Sequence, residues 1–391
     1  MYKRKNLFIF VFLCCVMASC SSDNFDSNLD GVEDQDEFFV GQEDALQIAC
    51  GNGLKDYLDL PCTRSTREPK IKEIKAIPDF NNKTAFYIIN YDEGGFLLLS
   101  ADKRVTPILA HSNNGSFLSD ADDMPEGLTD WMLREKSRIT QVRNLDAKMS
   151  DQNVMAWSSL IIDDGEKFAM TRALDPGTTD DGDCGSVTRT YGPLISTKWH
   201  QGQPFNDLVP LATYDTRAPA GCATIAMAQV MKFHQHPSCF SWSSMNDLTA
   251  TTATKQLISD IFGRVIYYFD ATQASSNLTL VLDALVHSYN YHLSASICNF
   301  SLHDVKTEIA QNRPVIMRGG NSFGAGHIWV CAGYEETFSP CGYFPTYYML
   351  YMNWGMGGEY DGYYYEDDEN EPMGLYYFDR QMIKNLRKPN Y

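Results

Sequence analysis

The chain has few basic residues for its size. Its 32 Lys and Arg stand against 50 Asp and Glu, a formal net charge of -18 over 391 residues. Nucleic-acid binding depends on clustered Lys and Arg that neutralise phosphates, so no nucleic-acid partner is expected. Hydrophobic residues make up 44% and aromatic residues 13% of the chain. This composition supplies enough apolar surface for a packed core and excludes wholesale disorder.

Cysteine pairs of the kind that organise small secreted domains are also missing. The 11 cysteines include no Cys-x-x-Cys pair and fall at irregular spacings, so a disulfide framework does not organise the fold. His234, His236 and Cys239 are close in sequence, yet no second cluster completes the closed ligand set of a zinc site. We interpret them as surface residues just past a helix, and we expect neither a metal nor another cofactor.

The longest apolar run, Leu7 to Met17, is too short to be a spanning helix. It follows basic residues at Lys3 to Lys5 and is followed by the string MASC, which ends at Cys20. The chain becomes polar immediately after Cys20. This layout is typical of a secretory signal, and the string resembles a bacterial lipobox. We predict a lipoprotein-type signal peptide over residues 1–20, with a lipid anchor at Cys20 as the membrane attachment. The expected location is the bacterial cell envelope, or outside the cell after maturation. Simple signal cleavage nearby is the alternative.

The sequence of the first half of the chain predicts a tether followed by a folded domain. Residues 21–43 are acidic and polar and are expected to form a flexible tether. Residues 44–175 contain two strand-like runs, Ala85–Tyr91 and Phe96–Ser100, around a turn with two glycines that is typical of a hairpin. Apolar residues then recur at helical spacing from Leu128 to Met149 and predict one long amphipathic helix. This domain contains no recognisable catalytic set.

A second change of composition separates this domain from the rest. Between Asp175 and Gly185 the chain is dominated by Pro, Gly, Thr and Asp, as in exposed segments that proteases cut easily. We predict cleavage within residues 172–190, and a second domain over residues 176–391 that carries the chemistry.

A candidate nucleophile begins a predicted helix in the second domain. The stretch GCATIAMAQVMKF, from Gly221 to Phe233, is rich in Ala and Met and follows a Pro-containing turn, which predicts a helix that starts at Cys222. The free backbone N–H groups and the dipole at a helix N-terminus stabilise a thiolate. A structural cysteine at a helix start is the alternative at this point.

Candidate partners for this thiol lie elsewhere in the domain. His327 follows a glycine-rich stretch at the mouth of an apolar strand and could act as its base. Asn353, at the end of another predicted strand and followed by Trp354, could orient the imidazole. The side-chain amide of Gln201 could join the backbone N–H of Cys222 in an oxyanion hole. His200 is a rival base, although its segment is already used for the oxyanion role.

The order Gln, Cys, His, Asn-Trp resembles the streptopain family of papain-fold cysteine proteases. The matching stretches are WHQGQPFN from Trp199, GCATIAMAQVMKFHQHP from Gly221, GHIWVCAG from Gly326 and NWGMGGEYDG from Asn353. The first half also resembles that family's inhibitory prodomain, through GFLLLSADKRVTPILAHSNNGSF from Gly95.

The resemblance implies an α+β papain-like catalytic domain preceded by a smaller α+β prodomain. It implies Cys222 as nucleophile, His327 as base, Gln201 in the oxyanion hole, and Asn353 with Trp354 supporting the histidine. Two features depart from the family pattern: an acidic stretch begins at Glu366 where a glycine-rich loop is common, and Met356 replaces a usual Trp.

We therefore expect a secreted or surface cysteine endopeptidase made as a zymogen, with protein or peptide substrates and its own prodomain as an intramolecular inhibitor. Two alternatives stay open. One is a cysteine amidase acting on cell-wall peptides, because the same geometry serves any acyl transfer. The other is a catalytically silent papain-fold lipoprotein.

Overall fold

One antiparallel sheet runs through the part of the chain that the computed structural model describes. The described residues are 36–54, 58, 69–119, 124–161, 187–320, 326–338, 346–366 and 380–389. The strand order is β1-β2-β3-β4-β12-β11-β10-β9-β13-β8, and β5 pairs with β10. A small hairpin, β6-β7, lies apart from it. The strands are β1 Ile71–Pro78, β2 Thr84–Tyr91, β3 Phe96–Ser100, β4 Ile108–Ser112, β5 Val187–Tyr191, β6 Tyr268–Phe269, β7 Ala274–Ser275, β8 Ser296–Asn299, β9 Val315–Gly320, β10 Gly326–Phe338, β11 Tyr347–Asn353, β12 Gly362–Glu366 and β13 Gln381–Lys384.

Helices cover the sheet, and their bounds only partly match the sequence. They are α1 Gln42–Cys50, α2 Glu126–Asn144, α3 Asp151–Ile161, α4 Cys222–His234, α5 Thr252–Val265, α6 Leu278–Asp283 and α7 Leu302–Ala310. The predicted helix from Leu128 to Met149 ends early because Asp146 adopts a positive φ of 47°, a left-handed conformation that stops a helix. The separate helix α3 was not predicted.

The predicted hairpin of β2 and β3 is confirmed, and both strands are buried on two faces. Tyr87 and Ile89 belong to one hydrophobic core, while their neighbours Phe86 and Ile88 belong to the other. This alternation follows from the two-residue repeat of a strand. The sheet therefore separates two cores, which explains why these strands read as continuous apolar runs.

The N-terminal region (residues 36–161) and the C-terminal region (residues 187–389) share this sheet. They meet where β4 pairs with β12, with Tyr363 opposite His111. His111 Nε2 also lies 3.0 Å from Glu335 Oε2, and both residues are buried. The two regions are thus joined by backbone pairing and by a buried polar contact.

Several sequence predictions fall partly or wholly outside the described residues: the signal peptide with Cys20, most of the tether, most of the cleavage segment, and the acidic stretch after Glu366. Chain packing begins before the predicted domain boundary at Asp44, because Val40 is buried and its N–H bonds to Ala101 O at 3.1 Å. Within the described ranges, no helix is both long enough and apolar enough to cross a bilayer.

Candidate active site

Cys222 is the first residue of α4, as predicted, and it is half-buried. The preceding Gly221 has φ +85°, and a Cβ at that position would lie 3.1 Å from Ile266 and from Ala274. Both the backbone conformation and the close packing therefore require glycine. This turn delivers the thiol to the helix N-terminus, where the dipole favours its ionised form.

His327 lies at the start of β10, opposite Gly319 of β9, and is buried. Its Nε2 is 2.9 Å from the backbone carbonyl of Trp354. The carbonyl can only accept, so Nε2 carries the proton and Nδ1 is left to face the thiol. The charges of the imidazole and of the Cys222 thiol act on each other, so the sheet and α4 place the predicted nucleophile and base in one site.

The electrostatics of this pair favour charge separation. Burial alone would raise the pKa of Cys222, but the charge and hydrogen bond of His327, with a backbone hydrogen bond from Ile328, lower it below the ordinary thiol value. Burial would lower the pKa of His327, but Cys222 and the Trp354 carbonyl raise it. Both shifts stabilise a thiolate beside an imidazolium, the reactive form of such a pair.

Gln201 is tied to the segment that precedes the nucleophile. Its backbone carbonyl accepts a hydrogen bond from Ala220 N at 2.8 Å, two residues before Cys222. Its side-chain Nε2 lies 3.9 Å from Met356 Sδ. The half-buried amide is thus carried by a segment that is hydrogen bonded to the turn before the nucleophile, and it holds donors that an oxyanion could use.

Asn353 and Trp354 occupy different positions relative to the histidine. Asn353 Oδ1 accepts hydrogen bonds from Gly355 N at 3.1 Å and from Gln229 Nε2 at 2.9 Å. Its Nδ2 donates to Thr197 O at 2.9 Å. The hydrogen-bond partner of His327 is the main-chain carbonyl of Trp354, which belongs to the same peptide unit as the Gly355 N–H. Asn353 therefore touches that peptide from its opposite end.

Two residues of the N-terminal region lie at the site and were missed by sequence reasoning. Glu126, the first residue of α2, places Oε2 3.9 Å from His327 Nδ1. At the next residue, Gly127, a Cβ would lie 2.8 Å from the ring of Trp329 and 3.1 Å from that of Trp354. A glycine inside the first turn of a helix was a usable signal, because glycine is unfavourable there unless close packing requires it.

The interpretation of His234 and His236 as surface residues is wrong. Both are buried against Tyr291: His234 Nδ1 lies 3.1 Å from the Tyr291 hydroxyl, and His236 Nε2 lies 3.2 Å from Asn290 O. Burial lowers the pKa of His234 to about 4, as expected for a histidine held neutral in a core. Among the described residues, no group of three or more His, Cys, Asp and Glu is placed to hold a metal ion.

The rival base, His200, has a local structural contact. Its Nδ1 accepts a hydrogen bond from Gly202 N at 3.3 Å, and its ring packs edge-on against Phe205. An acceptor role at Nδ1 leaves the ring neutral with its proton on Nε2. His200 therefore shapes the turn that carries Gln201.

Both regions of the chain match known protein families. The profile of the peptidase C10 family matches residues 199–260 and 238–364, and that of the Spi protease inhibitor matches residues 39–139. The thiol protease/hemagglutinin PrtT of Porphyromonas gingivalis is 26% identical over 364 residues, which cover 78% of this chain and 38% of that protein. Streptopain of Streptococcus pyogenes is 24% identical over 360 residues, which cover 78% of this chain and 80% of that protein.

A solved structure shares the fold. The prointerpain A fragment of Prevotella intermedia superposes with a TM-score of 0.58 at 18% identity, covering 82% of this chain and 100% of the fragment. The predicted α+β class, with a smaller domain ahead of a papain-like domain, is confirmed by this likeness and by the two matched profiles.

Proposed function

The chain is a cysteine-type peptidase of the peptidase C10 (streptopain) family, and from this premise we propose that Cys222 is its nucleophile and His327 its general base. The observation that carries the proposal is the thiol at the N-terminus of α4 together with an imidazole that is held by the Trp354 carbonyl and acts on the thiol through its charge. Both pKa shifts favour the thiolate–imidazolium pair.

The proposed reaction has two acyl-transfer steps. Cys222 thiolate attacks the scissile carbonyl carbon, and the tetrahedral intermediate collapses to a thioester as His327 gives its proton to the leaving amine. His327 then takes a proton from water, the hydroxide attacks the thioester, and Cys222 leaves as the thiolate. Gln201 Nε2 and the Cys222 backbone N–H stabilise the oxyanion in both steps.

We assign supporting roles to Trp354 and Asn353. The Trp354 carbonyl holds the Nε2 proton, which keeps Nδ1 available for the thiol. Asn353 fixes the far end of the same peptide through the Gly355 N–H. Trp354 thus supports His327 directly, and Asn353 supports it indirectly through the backbone.

A protein substrate is favoured over the cell-wall amidase alternative. A large inhibitory domain protects the producing cell from a broad protease more than from a narrow amidase. The test is hydrolysis of a denatured protein by the processed chain, with Cys222 intact and with Cys222 replaced. An amidase specific for cell-wall peptides would leave the denatured protein whole.

We propose that residues 44–175 form the prodomain, that residues 176–391 form the catalytic domain, and that activation cuts within residues 172–190. Latency is supported by the contacts of α2 at the site. The Glu126 carboxylate lies beside His327, and Gly127 packs on the rings of Trp329 and Trp354. With α2 in this place His327 is buried, and we propose that α2 thereby keeps a substrate backbone away from the imidazole.

Gly127→Ala should raise the peptidase activity of the uncut chain. The new Cβ would meet two buried tryptophan rings that have no space to move, so α2 must shift away from the site. Overpacking of this kind costs about 1–3 kcal/mol, which corresponds to about a 5- to 150-fold higher open fraction. The measurement is the initial rate of peptide hydrolysis by freshly purified, uncut chain.

Gly263→Ala is the matched control for this change. Gly263 is also helical, but a Cβ there meets nothing within 4 Å, so the substitution should leave the initial rate unchanged and slightly stabilise α5. Equal rates for the two variants would contradict the role of the α2 contact.

We also propose that Cys20 carries a lipid that anchors the precursor to the bacterial cell envelope. The support is the basic start, the short apolar run and the MASC string. Wild-type precursor should partition into the membrane fraction, and Cys20→Ala should move it to the soluble fraction or block its maturation. Recovery of wild-type precursor without detergent would argue against the anchor.

A further inference from the structure

The position of the catalytic imidazole depends on one peptide unit, the one between Trp354 and Gly355. Its carbonyl oxygen lies 2.9 Å from His327 Nε2, and its N–H donates to Asn353 Oδ1. The preceding N–H, that of Trp354, donates to Asp361 Oδ1 at 3.0 Å. Asp361 therefore holds the residue that supplies the histidine's acceptor.

Asp361 is itself held by a cation. Its Oδ2 lies 2.8 Å from Lys198 Nζ, and the same ammonium donates to the Tyr351 hydroxyl at 3.2 Å. Asp361 is almost completely buried, with 1% of its surface exposed. A carboxylate in such a place is costly without a partner. Burial raises the pKa of Asp361 and Lys198 lowers it, so the lysine favours the ionised carboxylate and fixes its direction.

The loop between Trp354 and Asp361 needs this restraint because it is rich in glycine. Gly355, Gly357 and Gly358 all have positive φ, at +72°, +76° and +98°. Glycines reach these conformations freely and add little stiffness. Gly358 also packs against the aliphatic part of Lys198, since a Cβ added at Gly358 would lie 3.0 Å from Lys198 Cδ. The lysine therefore restrains the loop both by packing and by its charge.

We propose that Asp361 and Lys198 form a positioning pair that fixes the Trp354 carbonyl and, through it, the orientation of His327. The inference rests on the proposed function of the Cys222–His327 pair and goes beyond it. Lys198 is next to Trp199 in the segment that carries Gln201, so the ion pair joins the loop behind the histidine to the oxyanion segment. Without it, the carbonyl drifts, the imidazolium moves off the thiol, and the thiolate loses its stabilisation.

The test replaces the pair by apolar residues and measures the ionisation of Cys222. Exchange of a buried ion pair for apolar side chains of similar size is often neutral for stability, so Lys198→Met/Asp361→Leu should fold. Alkylation of the full-length chain by iodoacetamide is followed at Cys222 by peptide mass spectrometry across pH, with the exposed Cys239 as reference thiol. The Cys222 midpoint should rise by at least about one pH unit, about a tenfold slower reaction at pH values below both midpoints.

The control removes an equivalent pair elsewhere. Glu308 is buried, binds Arg313 at 2.6 Å and accepts from the backbone N–H of Asn385 at 2.8 Å, so Arg313→Met/Glu308→Leu loses the same kinds of contact. This control should keep the wild-type Cys222 midpoint. A second variant, Asp361→Asn, keeps volume and one acceptor and should give a smaller upward shift, which preserves the test if the apolar pair fails to fold.

The outcomes separate the two claims. A wild-type midpoint for Cys222 equal to that of Cys239 would contradict the catalytic pair itself. A depressed wild-type midpoint that stays unchanged in folded variants of Asp361 and Lys198 would overturn the positioning role alone. An equal upward shift in the Arg313 and Glu308 control would also overturn it, because general destabilisation would then explain the effect.

Discussion

Replacing Cys222 with alanine should abolish peptide-bond hydrolysis by this chain. No thioester can form without the sulfur, and the oxyanion donors alone give little rate. Removal of the nucleophile from a catalytic set of this type costs on the order of 10⁶ in kcat. The measurement is turnover of a denatured protein substrate by processed wild-type and variant chains at equal concentration.

Cys239→Ala is the matched control, since Cys239 is an exposed free thiol just past α4. It should retain full turnover. Cys331 provides a second control because it is a buried thiol, whereas Cys239 is exposed. Burial raises the pKa of Cys331 to about 12 and makes the thiol unreactive. Wild-type turnover by Cys222→Ala would reject the mechanism.

The same variant reports on maturation. If the chain cuts itself, Cys222→Ala should remain at precursor size when purified alone. An inactive variant that is nevertheless processed to mature size would show that another protease makes the cut.

Gln201→Ala should lower kcat by about 10²–10³ and leave KM nearly unchanged. An oxyanion donor acts mainly on the transition state, so its loss raises the barrier without weakening substrate binding. Steady-state kinetics on a peptide substrate with the processed enzyme measure both constants. Gln203→Ala is a suitable control, because Gln203 is exposed and two residues further along the same segment. An unchanged kcat in Gln201→Ala would remove this amide from the oxyanion hole.

The parts of the site that could be predicted are those whose chemistry is local in sequence. The position of Cys222 at a helix start was predictable because the helix pattern and the glycine before it are both visible in the sequence. The position of His327 at a strand start was predictable because glycine followed by an apolar run marks the beginning of a strand. In both cases a single segment carries the physical reason for the residue's position.

The parts that were missed depend on contacts between distant segments. The acceptor for His327 is a backbone carbonyl, which leaves no signature in residue type, so the sequence could not separate the role of Trp354 from that of Asn353. Glu126 reaches the site from the N-terminal region. The burial of His234 and His236 depends on Tyr291, which packs against them from a later helix connection. Tertiary packing decides such features, and no local pattern reports it.

The pairing of β4 with β12 has a consequence for the order in which the chain folds. Domains generally fold as units, so β1 to β4 can form before β12 is in place. Until then the β4 edge offers unpaired N–H and C=O groups. When β12 arrives it can add to an existing sheet instead of nucleating a new one, and the slow step of closing distant strand contacts is eased. The sheet edge of the N-terminal region thus serves as a template for the strands of the C-terminal region.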